Sequence, residues 1–254
     1  MADHAPHGCC PVRLRNRKIA MTKPMVIAVG IGFCLGLGLS ATGLPMTGQS
    51  ALAADIYVQD PADLVPAERA ADEKLAAQAR IEQLNEALLS AMAAGDSLDY
   101  AARYDSLAPV VEETYNLPLM AQLSIGRSAW NALDDTQREA LVDRFTAMSI
   151  AVYAARFNRL TDQQFSVNSV DEGPRETLIV NSKLVLPQGD DVNFAYVMRD
   201  SEAGWRIVDV FINGQYSELS RRRSEFSSVI RNDGLDALLA RIDEIIAGYR
   251  SNAG

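Results

Sequence analysis

The stretch that decides the fold is residues 164–213, QFSVNSVDEGPRETLIVNSKLVLPQGDDVNFAYVMRDSEAGWRIVDVFIN. Its apolar residues alternate with polar ones or run β-branched in four pieces: QFSVNSV, TLIVNSKLVLP, DVNFAYVMRD and GWRIVDVFIN. Turn-forming clusters at 171–174, 187–191 and 200–204 separate them. A period of two marks strands, and links this short join neighbours antiparallel. The second piece places Leu178, Val180, Leu184 and Leu186 on one face with Ser182, and the third places Val192, Phe194, Tyr196 and Met198 together. Asn181, Lys183, Asn193 and Arg199 fall on the opposite faces, so one side of the sheet is covered and the other is wetter.

Outward from this block the period lengthens to that of a helix. Residues 133–160, LDDTQREALVDRFTAMSIAVYAARFNRL, form the strongest such segment, with Asp134 and Gln137 at capping-box spacing. Leu141, Phe145, Met148 and Val152 make one stripe; Ile150, Tyr153, Phe157 and Leu160 make a second beside it. An apolar arc this wide predicts a central helix covered on two sides. Residues 66–94 read as an amphipathic helix stopped at Gly95, with Leu84, Leu88 and Met92 on one side. Residues 98–125 read as shorter pieces broken at Pro109 and at 116–118, and two helices come after the strands, at 216–231 and 234–249. The expected architecture is α+β: a curved, four-stranded antiparallel sheet covered on one face by helices.

The first 53 residues belong to a different class of segment. A basic region (Arg13, Arg15, Arg17, Lys18, Lys23), the uncharged apolar run MVIAVGIGFCLGLGL and the small residues ALA before Ala54 have the order of a cleavable secretory signal, with translation starting at Met1 or Met21. Fifteen apolar residues are short for a membrane span, although an uncleaved anchor is the alternative. The expected organisation is a signal peptide over 1–53, a flexible lead-in over 54–66 and a single domain over 67–250. All three cysteines and both histidines lie before Ala54. Of 24 basic and 33 acidic residues, five basic and one acidic also lie there, leaving a formal charge of −13 on residues 54–254. That part of the chain excludes thiol nucleophiles, serine–histidine triads, imidazole acid–base chemistry and cysteine/histidine zinc sites; neither a cofactor nor a metal is expected. Its acidity argues against a nucleic-acid groove.

Two charged features call for partners. Asp209 stands among aliphatic residues in the last strand, and three arginines, 221–223, come after it. Successive helical residues point about 100° apart, so the three cannot form one patch. Glu218 and Glu225 are spaced to engage Arg222 and Arg221, whereas Arg223 shares a stripe with Leu219, Phe226 and Ile230. The expectation is a structural ion pair from Asp209 to Arg223, with Arg156 as the second choice. The competing reading makes Asp209 a lone catalytic base, with Tyr153 or Tyr196 as oxyanion donor. The loop NDG at 232–234 lacks the flanking ligands of a calcium site. Two helix stripes, a sheet face and two further helices supply more apolar surface than one layer pair needs, and an enclosed apolar cavity for an acyl or polycyclic lipid accounts for the surplus.

Several of these residues resemble a known family. Ile125, Gly126 and Trp130; Leu133 and Gln137; Trp205, Asp209 and Val210; Arg223 and Phe226; and Gly234, Leu235, Leu238 and Leu239 match motifs of the MlaC-type periplasmic phospholipid-shuttle proteins, also called toluene-tolerance periplasmic proteins. The likeness spans roughly residues 75–248. SELSRRRSEF followed by IRNDGLDALL is closest to the hopanoid-associated, HpnM-like branch, and GQYSEL replaces the family's usual G-V-S. The resemblance implies a monomeric, non-enzymatic carrier of phospholipid or hopanoid in the periplasm. Such a carrier exchanges cargo with membrane-bound transporter components of the inner and outer membranes, with a loosened helix–sheet contact as gate. Side chains placed to line its pocket are Tyr153, Phe157, Leu178, Val180, Leu184, Leu186, Phe194, Tyr196, Val208 and Val210. A small periplasmic enzyme using a lone carboxylate, or a non-catalytic structural accessory protein, is the alternative.

Overall fold

Helix boundaries follow from capping chemistry in the computed structural model, which describes residues 66–251. The expected signal segment 1–53 and most of the lead-in lie outside the described residues; Pro66 already opens helix α1 (Pro66–Ala94), which buries Ile81, Leu84 and Leu88. After a 3₁₀ turn come α2 (Tyr100–Thr114), α3 (Leu117–Ile125), the short α4 (Arg127–Ala132) and α5 (Asp135–Arg156). The capping box forms as spaced: Asp134 Oδ1 accepts from the Gln137 amide at 2.8 Å, and the Asp134 amide donates to Gln137 Oε1 at 3.0 Å. Helix α2 corrects the expected break at Pro109, since it runs unbroken through that residue. A proline forfeits one backbone bond and strains the preceding turn, and buried Leu107, Val110 and Val111 hold the helix against its neighbours regardless.

The strands are β1 (Gln164–Gly173), β2 (Thr177–Val185), β3 (Val192–Arg199), β4 (Arg206–Ile212) and β5 (Tyr216–Ser217), antiparallel and in sequence order. The sheet therefore has five strands, not four. The fifth contributes only the pairs Phe211–Ser217 and Ile212–Tyr216, too few residues to show a period of two. The first hairpin is also tighter than expected, because β1 continues to Gly173 and the reversal falls at Arg175 and Glu176, both with φ of 57°. A bulge lies between β3 and β4: Val197 faces Asp209 and Met198 faces Ile207, leaving Val208 as the extra residue.

Helix α6 (Glu218–Ser251) contains the two expected helices, divided at Gly234, where φ is 86° and ψ is −179°. A residue with a Cβ disfavours that conformation. The arms fold back on each other, with Arg241 Nε of the second arm 3.0 Å from Glu225 Oε1 of the first. Helix α1 lies against β1 and β2, α3 and α6 against β4, and α5 packs against α2, α3 and α6, as its two apolar stripes require. Val180, Tyr196, Met198 and Ile207 of the sheet join Leu141, Phe145, Phe226, Leu238 and Ile242 in one core. Among the described residues no helix is long and apolar enough to cross a membrane.

Candidate functional site

The covered sheet face is not filled evenly. Its Leu178–Val180–Tyr196–Met198 half is packed solid, with Val180 and Met198 fully buried. Toward Leu184, Phe194 and Ile212 the helices stand off and a cavity of about 590 Å³ opens. Its sheet wall comprises Leu184, Leu186, Val192, Phe194, Val210 and Ile212. Phe145, Met148, Val152 and Tyr153 of α5 and Phe157 at its C-cap also line the cavity, as do Met92 and Met120. The volume lies within the range of small-molecule and lipid sites, and unbranched methionines let such a wall adjust to its occupant. Aromatic rings succeed one another around it: Tyr115–Tyr153, Tyr153–Phe157, Phe157–Phe165 and Phe165–Phe194, with centroids 5.6 to 6.4 Å apart.

Of the ten side chains expected in the lining, Tyr153, Phe157, Leu184, Leu186, Phe194 and Val210 border the cavity. Leu178, Val180, Tyr196 and Val208 do not. The first three belong to the solid half of the core, and Val208 is the buried extra residue of the bulge. Strand parity puts the first three on the correct face, but cannot tell where along the strands the helices lift away. Periodicity marks Phe145, Met148 and Val152 as ordinary helix packing and gives no sign of Tyr115, Met92 or Met120 in the lining.

The tyrosines supply polarity without charge. The Tyr115 and Tyr153 hydroxyls are hydrogen-bonded to each other. Burial pushes Tyr153 up to about 12, against the pull of the Tyr115 hydrogen bond and the Arg156 charge, and pushes Tyr115 and Tyr196 well above 10. All three stay neutral near pH 7. The charged lining consists of Arg156, Arg159, Arg222 and Glu218. Glu218 is held by Arg221 at 2.9 Å and Arg159 by Asp96 at 3.1 Å.

Asp209 corrects both expectations placed on it. Its Oδ1 accepts from the amides of Val210 (2.7 Å) and Leu219 (3.0 Å), and its Oδ2 from Ser217 Oγ (2.6 Å). The carboxylate thus ties β4 to the start of α6 through Ser217 and the otherwise orphaned Leu219 amide, instead of meeting an arginine. It pairs with neither Arg223 nor Arg156. Nor does Asp209 border the cavity, so it is not placed to act as a base there. Arg223 is exposed, and Arg222 is the buried member of the triplet. The expected local pairs exchange: Arg221 meets Glu218, and Arg222 lies 3.9 Å from Glu225. Among the described residues no cluster of three or more acidic, histidine or cysteine side chains is arranged for a metal.

An open antiparallel sheet wrapped against helices around a mostly apolar cavity defines an α+β domain of binding-protein type. The chain belongs to the MlaC protein family, whose model matches residues 82–244. The same fold occurs in the phospholipid-binding protein from Ralstonia solanacearum, solved in complex with a phospholipid. It is similar with a TM-score of 0.60 and 20% identity over 68% of this chain and 98% of that one. No match is found among curated protein sequences.

Proposed function

We propose that this protein is a lipid carrier that encloses the hydrocarbon part of a membrane lipid in the cavity between sheet and helices. The cavity carries the reading: about 590 Å³ bordered mainly by aliphatic and aromatic side chains, in a fold shared with a protein solved with a phospholipid in place. A tail leaving a bilayer loses about 0.8 kcal/mol per methylene, or about 13 kcal/mol for sixteen, and a carrier must replace nearly all of it by enclosure. Its reaction is transfer, not bond chemistry, in keeping with the neutral tyrosines and the paired Glu218 of the lining. The cargo is a phospholipid or hopanoid-type lipid, the latter favoured by GQYSEL where the family carries G-V-S. The carrier works as a monomer in the periplasm, reached through the N-terminal signal, and exchanges cargo with membrane transporter components. Solvent extraction of purified protein followed by mass spectrometry tests this. One lipid per protein is expected; none, even after incubation with liposomes, refutes it.

A further inference from the structure

We infer that Met92, Met120 and Met148 form an oxidation site inside the cavity, where their thioethers take the outer oxygen of a hydroperoxide borne on a hydrocarbon chain and leave the chain as an alcohol. The inference rests on the carrier reading, since the peroxide enters as an apolar occupant. It adds a chemistry that transfer does not need.

Residues 54–254 hold four methionines, Met92, Met120, Met148 and Met198, and neither cysteine nor histidine. Sulfur in this part of the chain is therefore thioether only. Three of the four border the same cavity, although they come from three different helices, α1, α3 and α5. Met198 is fully buried in the solid half of the sheet face and does not border it. Met92, Met120 and Met148 are 4%, 7% and 3% exposed, so little of them meets bulk water, whereas an occupant of the cavity lies against them. Leucine fills an apolar lining equally well. What methionine alone brings is a sulfur lone pair open to two-electron oxidation.

The step balances between the two partners. The sulfur lone pair attacks the outer peroxide oxygen, the O–O bond breaks, and its electrons pass to the inner oxygen, which takes up the proton of the outer one. Methionine is oxidised to the sulfoxide and the hydroperoxide is reduced by two electrons to an alcohol. The Tyr115 and Tyr153 hydroxyls, hydrogen-bonded to each other and both in the lining, can relay that proton, one accepting as the other donates. Each methionine is spent once, so the reaction is stoichiometric and bounded at three alcohols per protein molecule.

The test incubates the protein without its N-terminal signal with linoleic acid hydroperoxide or with hydrogen peroxide, and uses free N-acetylmethionine amide as the reference for intrinsic reactivity. Peptide mass spectrometry reads oxygen gain at each methionine, and chromatography reads the hydroxy acid formed. Relative to the free amide, Met92, Met120 and Met148 should react about tenfold faster or more with the lipid peroxide, because binding holds the partners together, and more slowly with hydrogen peroxide. One hydroxy acid should appear per sulfoxide, and Met198 should stay unoxidised. The triple replacement Met92→Leu, Met120→Leu and Met148→Leu should abolish the hydroxy acid, whereas Met198→Leu should leave its yield unchanged. If the triple variant does not fold, the distribution of sulfoxide in the wild type decides. Oxidation of Met198 as fast as the other three overturns the inference. So does a hydroperoxide that displaces an apolar fluorescent probe and returns unreduced, or that fails to displace it where linoleic acid succeeds; both leave the carrier intact. Failure of linoleic acid and its hydroperoxide alike to displace the probe would remove the carrier reading, and this inference with it.

Discussion

Substituting Ser149→Phe shortens the proposed tail site without touching its charged groups. Ser149 projects from α5 into the cavity, and its hydroxyl donates only to the Phe145 carbonyl of its own helix, at 2.8 Å. Losing such a back-bond costs a helix little. At about 30 Å³ per methylene-sized group, the 590 Å³ cavity holds on the order of twenty. The phenyl ring adds about five non-hydrogen atoms and displaces about as many methylenes, worth about 4 kcal/mol or nearly a thousandfold in Kd for a tail that fills the site. A tail about five methylenes shorter should lose nothing. Displacement of an apolar probe by a series of straight-chain fatty acids reads this directly. Wild-type affinity should climb about fourfold per methylene and then flatten, and the variant should flatten about five methylenes sooner. Identical chain-length profiles in the two proteins, both folded by circular dichroism, would refute the placement of the tail.

Asp209→Asn should lower stability by about 1–3 kcal/mol, because an amide cannot accept all three donors now meeting the carboxylate; an unchanged urea midpoint would remove its role as the anchor of α6. Burial raises Tyr153 from 10.0 to about 12, so the folded state holds its proton more tightly than the unfolded chain. That stabilisation is complete below pH 10 and disappears as pH rises towards 12. Unfolding free energies measured across that interval should fall, and tyrosinate absorbance should show buried hydroxyls ionising late. Gly234→Ala should cost about 1 kcal/mol or more through its positive φ alone, since a Cβ there meets nothing within 4 Å; a neutral change in melting temperature would show that the break in α6 tolerates an ordinary residue.

Features governed by neighbours in the chain are legible in the sequence. The capping box at Asp134, the stripes of α1 and α5 and the break at Gly234 each arise from contacts within a few residues, as do the polar and apolar faces of β2 and β3. Where local preference meets packing it misleads. Pro109 reads as a break yet sits within a helix held by its buried neighbours, and the two-residue β5 exists only because β4 offers an edge to pair with. Asp209 is legible as an acid needing a partner. The partners are two backbone amides, which carry no sequence signature, and the Ser217 hydroxyl, one serine among many.

By itself the sequence determined the class of the protein: a helix-covered antiparallel meander, a cysteine- and histidine-free domain and an excess of apolar surface. Periodicity and composition are properties of the chain alone. Only the tertiary structure decided where that surface closes and where it stays open. The same sheet face is solid at Val180 and hollow at Leu184, and of three consecutive arginines only Arg222 borders the hollow. Both outcomes depend on how far a helix stands from the sheet, and that distance is set by every side chain between them, not by the spacing of any few.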